Sequence, residues 1–355
     1  RIIFMSPKKM SHHPIKMKDV ADRVEVSLMT ISRALNTPDK VSRQTLKKIK
    51  EAMVDMGYVP NLIAGTLSSK KSRFVGALVP YLNSSPFTDT IISLANHLRE
   101  HHYQLLIGST NYSVHEEEAL LMSILGHRPE AIVLTGGLHS SNSRNILNQA
   151  GIPVVEIWDL PKKPIDLVVG YSNHDSGYQI TRRMIQRGYT SIVYAITSSN
   201  DDRGEQRLRG YISALEEFGL PILVERIGNP PVQMEQGIQA ISNILAYEQK
   251  PDALICVSDT MAVGSIFECQ RRKINIPKDI AIAGFGDFEI SSNIVPSLTT
   301  VSVSGHEIGL KTAKLILKRL QNQPVNNSIL KVSSNIIERE TIRILQVSNC
   351  DWLDD

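Results

Sequence analysis

The chain has 355 residues, 42% hydrophobic and 21% charged, which is the composition of a soluble globular protein large enough for two or three domains. No apolar run reaches the length of a membrane span and no secretory leader is evident, so a cytoplasmic protein without a membrane partner is expected. The formal net charge of +3 conceals a polarity: residues 1–73 carry 15 Lys and Arg against 6 Asp and Glu, and the rest carries 24 against 30, a basic head on an acidic body.

Residues 1–16, with Lys8-Lys9 and His12-His13, show no periodicity and are expected to be a disordered basic tail; Met5, Met10 and Met17 are all possible initiators. Order should begin at Met17. Val20, Ala21 and Val24 share one helical face, and after a short break Ile31 and Leu35 repeat the i, i+4 spacing. Ser27 stands where the second helix needs an N-cap, because its hydroxyl can accept a backbone N–H of the first turn. Two short helices, a tight turn and outward-facing cations are the pattern of a helix-turn-helix that reads double-stranded DNA. A third helix follows, capped by Ser42, with a stripe of Leu46, Ile49, Met53 and Met56 and with Gly57 suited to a left-handed C-terminal position. Its Lys47, Lys48 and Lys50 fit either solubility or phosphate contact. Beyond it Pro60 blocks helix continuation and Asn61 can cap a new one. The segment 62–73 then offers a helix of about two turns containing Gly65, too short to be stable alone in water and therefore a candidate switch.

From residue 74 to 345 short β-branched runs alternate with amphipathic stretches. The runs are Phe74–Val79, Tyr103–Ile107, Ala131–Leu134, Pro153–Ile157, Ser191–Ile196, Asp252–Val257, Ile280–Phe285 and Leu298–Val303. The helical stretches include Asp89–Arg99, Gly177–Gln186, Gln206–Phe218, Gln233–Leu245 and Met261–Arg271. That alternation predicts an α/β core with parallel sheets, and a break near residues 170–173 divides it into two lobes. Ligands of such sheets bind beyond the strand carboxyl ends, and two facing lobes form a cleft from them. Polar residues recur there: Tyr81 and Asn83, Thr110 and Asn111, Thr135, Asp159, Asp259 and Asp287. Each alone is more often a cap or loop residue, Asp259 as an N-cap in particular; together they point to a polar small-molecule cleft.

Enzyme signatures are missing. There is no G-x-G-x-x-G opening a helix, Walker A loop, H-E-x-x-H or G-x-S-x-G, and Gly305-x-x-x-Gly309-x-Lys311-Thr312 is mis-spaced for a phosphate loop. Cys256, Cys269 and Cys350 are an odd set without metal-ligand spacing, expected as structural thiols in a reducing cytosol. No metal, catalytic residue or cofactor is therefore expected. A cleft without catalytic machinery reads as a sensor. The rival readings are a sugar-acid enzyme fused to a basic arm and a purely architectural DNA binder.

Over residues 17–345 the chain resembles the LacI family of bacterial repressors. The resemblance is carried by Lys18-Asp19-Val20-Ala21, Val26-Ser27-x-x-Thr30-Ile31-Ser32-Arg33-x-Leu35-Asn36 and Gly57-Tyr58-Val59-Pro60-Asn61. It continues through Arg207-x-x-Gly210-Tyr211, Ser258-Asp259-x-Met261-Ala262-Val263-Gly264 and Pro296-Ser297-Leu298-Thr299-Thr300-Val301. Within the family, Val155-Glu156-Ile157-x-Asp159 and Phe267-Glu268-Cys269-Gln270-Arg271 are similar to gluconate-operon repressors. The resemblance implies a periplasmic-binding-protein-like core, a homodimer on operator DNA, and paired hinge helices in the central minor groove. Ser27, Leu28, Met29, Thr30, Ser32 and Arg33 would face DNA, with Asn61 nearby, and Leu67 would fall on the family's intercalating leucine. Leu28 and Met29 are apolar where relatives are commonly polar. Arg207 would match the arginine reaching into the cleft and Asp259 an acidic effector contact. Gly286 replaces the first acid of a Gly-aromatic-Asp-Asp motif, leaving Asp287, and Val232 stands near where several relatives stack a ring. Those losses favor an open-chain sugar acid whose carboxylate pairs with Arg207, aided by Arg203. The tail 346–355 lacks leucine heptads, so a tetramerising coiled coil is not expected.

Overall fold

The computed structural model describes residues 15–59, 72–82, 85–198 and 202–343. Asn61, Leu67 and the expected hinge helix lie outside the described residues, as do Asn83, residues 1–14 of the first tail and the whole of the last. The chain separates into two compact units, divided between Ser72 and Arg73.

The first unit is helical: α1 (Met17–Val24), α2 (Leu28–Asn36), a single 3₁₀ turn at Pro38–Lys40 and α3 (Arg43–Met56). Glu25 adopts φ 57°, and Val26 N–H donates to Ala21 O at 3.0 Å, so the chain reverses tightly after α1. Ser27 then caps α2, its hydroxyl accepting Thr30 N–H at 3.1 Å. Ser42 caps α3 in the same way through Thr45 N–H at 3.2 Å, and Gly57 (φ 66°) closes it. Val20, Ala21, Ile31, Ala34, Ile49 and Met53 form the buried core. One expectation changes: Leu35 is 38% exposed, and Ala34 takes the inward position beside Ile31. On so short a helix the i, i+3 pair fills the narrow space against α1 and α3.

The second unit holds two six-stranded sheets. In the first lobe come β1 (Phe74–Val79), α4 (Ser85–Glu100), β2 (Gln104–Ser109), α5 (Val114–Gly126), β3 (Ala131–Thr135), α6 (Ser141–Ala150), β4 (Val154–Ile157) and β5 (Leu167–Gly170). The second lobe begins with α7 (Asn173–Gln186), β6 (Ile192–Ile196), α8 (Asp202–Phe218), β7 (Leu223–Arg226), α9 (Met234–Leu245) and β8 (Ala253–Cys256). It continues with α10 (Asp259–Arg271), β9 (Ala281–Phe285), α11 (Glu289–Asn293) and β10 (Thr299–Val303). The chain then turns back: α12 (Gly305–Leu320) packs on α4, and β11 (Ile329–Lys331) joins the first sheet beside β5. Finally β12 (Ser334–Ile337) returns to pair antiparallel with β10.

The sheet orders are β11-β5-β4-β3-β1-β2 and β12-β10-β9-β8-β6-β7, parallel throughout except for β12. The break near residues 170–173 is thus one of three passages between the lobes, the others falling between β10 and α12 and between β11 and β12. β5, β7, β11 and β12, each three or four residues long, are not among the runs read from the sequence. Close helix contact fixes the second lobe: a Cβ at Gly210 of α8 would lie 2.0 Å from His174 O, and one at Gly177 of α7 2.1 Å from Arg207 O. Two bare backbones in contact hold α8 against α7, and so set where the side chains of α8 point.

Candidate functional site

The head presents one face built by α2. Ser27, Leu28, Met29 and Arg33 are exposed, Thr30 and Ser32 partly so, and Leu28 and Met29 leave 46% and 62% of their surface to solvent. Two large apolar side chains kept in water at a helix start gain nothing for the head's own core. Elsewhere on the head Lys16, Lys18, Arg23, Lys40, Arg43, Lys47, Lys48 and Lys50 are all exposed. Lys47 has Glu51 at 3.9 Å, a surface pair of little energetic weight. The head can therefore offer cations to phosphates and methyl-rich side chains to thymine methyls.

In the core, strand ends from both lobes converge on a cleft of about 490 Å³. Tyr81, Arg203 and Arg207 line it, with Val232 on its wall. Arg207, on α8, lies over the Phe285 ring at 4.3 Å and donates to Asn173 Oδ1 at 2.8 Å. Arg203, one turn earlier and only 5% exposed, lies over Phe87 and Tyr112 at 5.3 and 5.6 Å and donates to Tyr112 Oη at 3.3 Å. Rings stacked on a guanidinium fix its plane while leaving its edge available to hydrogen bonds.

The cleft lining is also aromatic, through residues other than the polar strand ends. Trp158 sits beside the singled-out Asp159 with φ 68°, a left-handed conformation rare for a large side chain. Its indole donates to Thr90 Oγ1 at 3.2 Å, and its ring meets Phe87 and Tyr171 edge-on at 5.3 and 6.1 Å. Phe285 stacks on Tyr171 at 6.2 Å. An aromatic residue directly after a strand end was the sequence signal.

The remaining acids take different tasks. Asp259 is not the N-cap of α10; Ser258 is, accepting Thr260 N–H at 3.3 Å. Asp259 is wholly buried, and its carboxylate accepts from Thr300 Oγ1 (2.6 Å), Ser291 Oγ (2.7 Å) and Phe288 N–H (2.9 Å). It ties the β8, β9 and β10 ends together and is absent from the cleft lining. Burial still outweighs these bonds and pushes its carboxyl above the ordinary range. Asp287 pairs with Arg339 at 2.7 Å and also stands outside the lining. Neither carboxylate lines the cleft, and the oxygens of each are engaged by neighbouring donors of the fold.

Asp159 and Thr135 do meet, in a smaller chamber of about 50 Å³ that shares Tyr112 and Arg203 with the cleft. Thr135 Oγ1 donates to Leu78 O at 3.1 Å. Asp159, at the end of β4 in the first lobe, accepts from Gln206 Nε2 of α8 in the second at 3.1 Å, bridging the lobes. Burial pushes its carboxyl up, opposed by Leu160 N–H, Arg203 and Gln206. The two described cysteines are buried, and burial pushes both thiols up to about 12, which disfavors the reactive thiolate. No cluster of metal-ligating side chains occurs among the described residues, and none of their helices is long and apolar enough to cross a membrane.

Two family profiles match the chain: bacterial regulatory proteins of the lacI family over residues 16–61, and a periplasmic binding protein-like domain over residues 181–342. The HTH-type transcriptional regulator GntR of Escherichia coli K12 is 32% identical over 317 residues, spanning 88% of this chain and 94% of that protein. IdnR of the same strain, also an HTH-type transcriptional regulator, is 28% identical over 94% of this chain and 100% of its own length. Among solved structures, a LacI-family transcriptional regulator from Silicibacter pomeroyi superimposes with a TM-score of 0.87 at 30% identity, over 92% of this chain and 99% of that one. The lac repressor dimer bound to operator and the anti-inducer ONPF shares the fold, with a TM-score of 0.78 at 22% identity, over 93% and 99%. These relatives are regulators, not enzymes. The chain belongs to the LacI family of bacterial regulatory proteins and is a ligand-responsive, DNA-binding transcriptional regulator.

Proposed function

We propose that the protein is a homodimeric repressor of a sugar-acid utilisation operon, with gluconate or a close relative as its effector. The observation that carries this reading is the charge of the cleft: its described lining contains Arg203 and Arg207 and no carboxylate. Such a wall favors an anion over a neutral sugar, since guanidinium N–H groups bond a carboxylate more strongly than a neutral hydroxyl. The similarity to GntR and IdnR over nearly the whole chain supports the same reading. Leu28, Met29 and Arg33 would read the operator in the major groove, and Leu67 would wedge the central step. The effector, closing the cleft, would shift the hinge equilibrium; a differential affinity of a few kcal/mol suffices to empty the operator.

Calorimetric titration of the full chain tests the reading. Arg207→Ala should lose sugar-acid affinity by about 100-fold or more, as expected when a buried carboxylate loses its cation, and keep its affinity for operator DNA. Arg207→Lys should recover only part, because an ammonium cannot make the forked contact. Undiminished gluconate binding by Arg207→Ala, or tighter binding of glucose than gluconate by the parent, would refute the ligand class.

A further inference from the structure

The cleft and the small chamber differ in charge, and Arg203 stands between them. Arg207 lines only the cleft; Arg203 lines both; Glu117, Asp159 and Asp202 line only the chamber. Along this line the wall passes from two guanidiniums to three carboxylates. The carboxyl ends of the first four strands line the chamber through Pro80, Thr110, Thr135 and Asp159, and its volume of about 50 Å³, against 490 Å³ for the cleft, suits the end of a ligand rather than the whole. Its acids are already held in place: His139 Nδ1 contacts Glu117 at 2.9 Å, Arg209 pairs with Asp202 at 2.9 Å, and Gln206 donates to Asp159. A fixed carboxylate still has lone pairs to spare and is suited to accept from hydroxyl groups.

We propose that this chamber receives the uncharged hydroxyl end of the effector and rejects a ligand charged at that end. The inference rests on the sugar-acid reading and deepens it, making the effector a monoanion that carries its charge at one terminus only. Its carboxylate lies toward Arg207, its chain passes Arg203, and its terminal hydroxyl meets Asp159 and Glu117. Phosphorylation or oxidation of that terminus would press a new anion against buried carboxylates. Arg203 is the cation in the chamber's described lining, against Glu117, Asp159 and Asp202, so a second anion there would compete with three carboxylates for one guanidinium.

Three ligands of similar chain length decide the matter by calorimetry on the full chain: gluconate, its terminally phosphorylated form, and the dicarboxylate with an acid at both ends. Gluconate is expected to bind about 100-fold more tightly than either of the others, the size of a like-charge clash in a desolvated site. Asp159→Asn, checked for its unfolding temperature, should narrow the gap for the dicarboxylate about tenfold; if that variant does not fold, the ligand series alone decides. Dicarboxylate binding as tight as gluconate would overturn the electrostatic exclusion, leaving phosphate rejection to size. Phosphorylated ligand binding as tight or tighter would overturn the proposal while leaving the sugar-acid reading standing. Failure of all three ligands to bind would remove the sugar-acid reading and the proposal with it.

Discussion

The cations of the head and the two arginines of the cleft carry the same charge in opposite surroundings. In the head, Lys16, Lys18, Arg23, Arg43 and the α3 lysines are all exposed, each free to sample many orientations in water. In the cleft Arg203 is 5% exposed and both guanidiniums lie against aromatic rings, with hydrogen bonds to Tyr112 and Asn173 fixing their planes. A polyanion is met by many loosely held charges, because affinity comes largely from the counterions it releases and register can be found afterwards. A small anion offers few contacts, so its site must be arranged before it arrives.

Salt separates the two most sharply. Operator affinity should fall on the order of a thousandfold or more between about 50 and 200 mM salt, if several phosphates are neutralised. Effector affinity over the same range should change little, since buried pairs are weakly screened. Fluorescence anisotropy with labelled operator and calorimetry with effector give the two slopes, and equal slopes would break the contrast.

A smaller effect sharpens the head itself. Arg33→Ala should weaken operator binding by about 10- to 100-fold and relax selectivity at one base pair, if the guanidinium makes a bidentate contact to guanine. A uniform loss over all sequences, with the salt slope reduced by about one, would make it a phosphate contact instead.

The smallest effect concerns the cost of order inside the core. Asp159 has a folded-state pKa raised above its unfolded value, so its ionisation destabilises the fold. That destabilisation is absent below the ordinary carboxylate pKa, grows as pH rises through the interval up to the raised value, and is complete above it. Asp159→Asn should therefore melt above the parent at about pH 8, and its advantage should shrink toward about pH 4. An advantage independent of pH would show that the bridge to Gln206, not the buried charge, controls stability there.

Local chemistry wrote much of this protein into its sequence. Ser27 and Ser42 cap helices because a hydroxyl one residue before a helical stripe has an N–H to satisfy, and Gly57 closes α3 because glycine tolerates a left-handed turn. The longer strands, buried on both faces, announce themselves as β-branched runs, and the recurring motifs carry the family. Long-range packing decided the rest. No periodicity could say that α12 and β11 return to the first lobe, since that depends on which surface the second lobe leaves uncovered. Nor could spacing distinguish Asp159, facing a chamber, from Asp259, consumed by Thr300, Ser291 and Phe288, for both follow a strand and both are acids. Which cavity or donors a carboxylate meets depends on tertiary contact, and the donors of Asp259 lie 29 to 41 residues away in the chain.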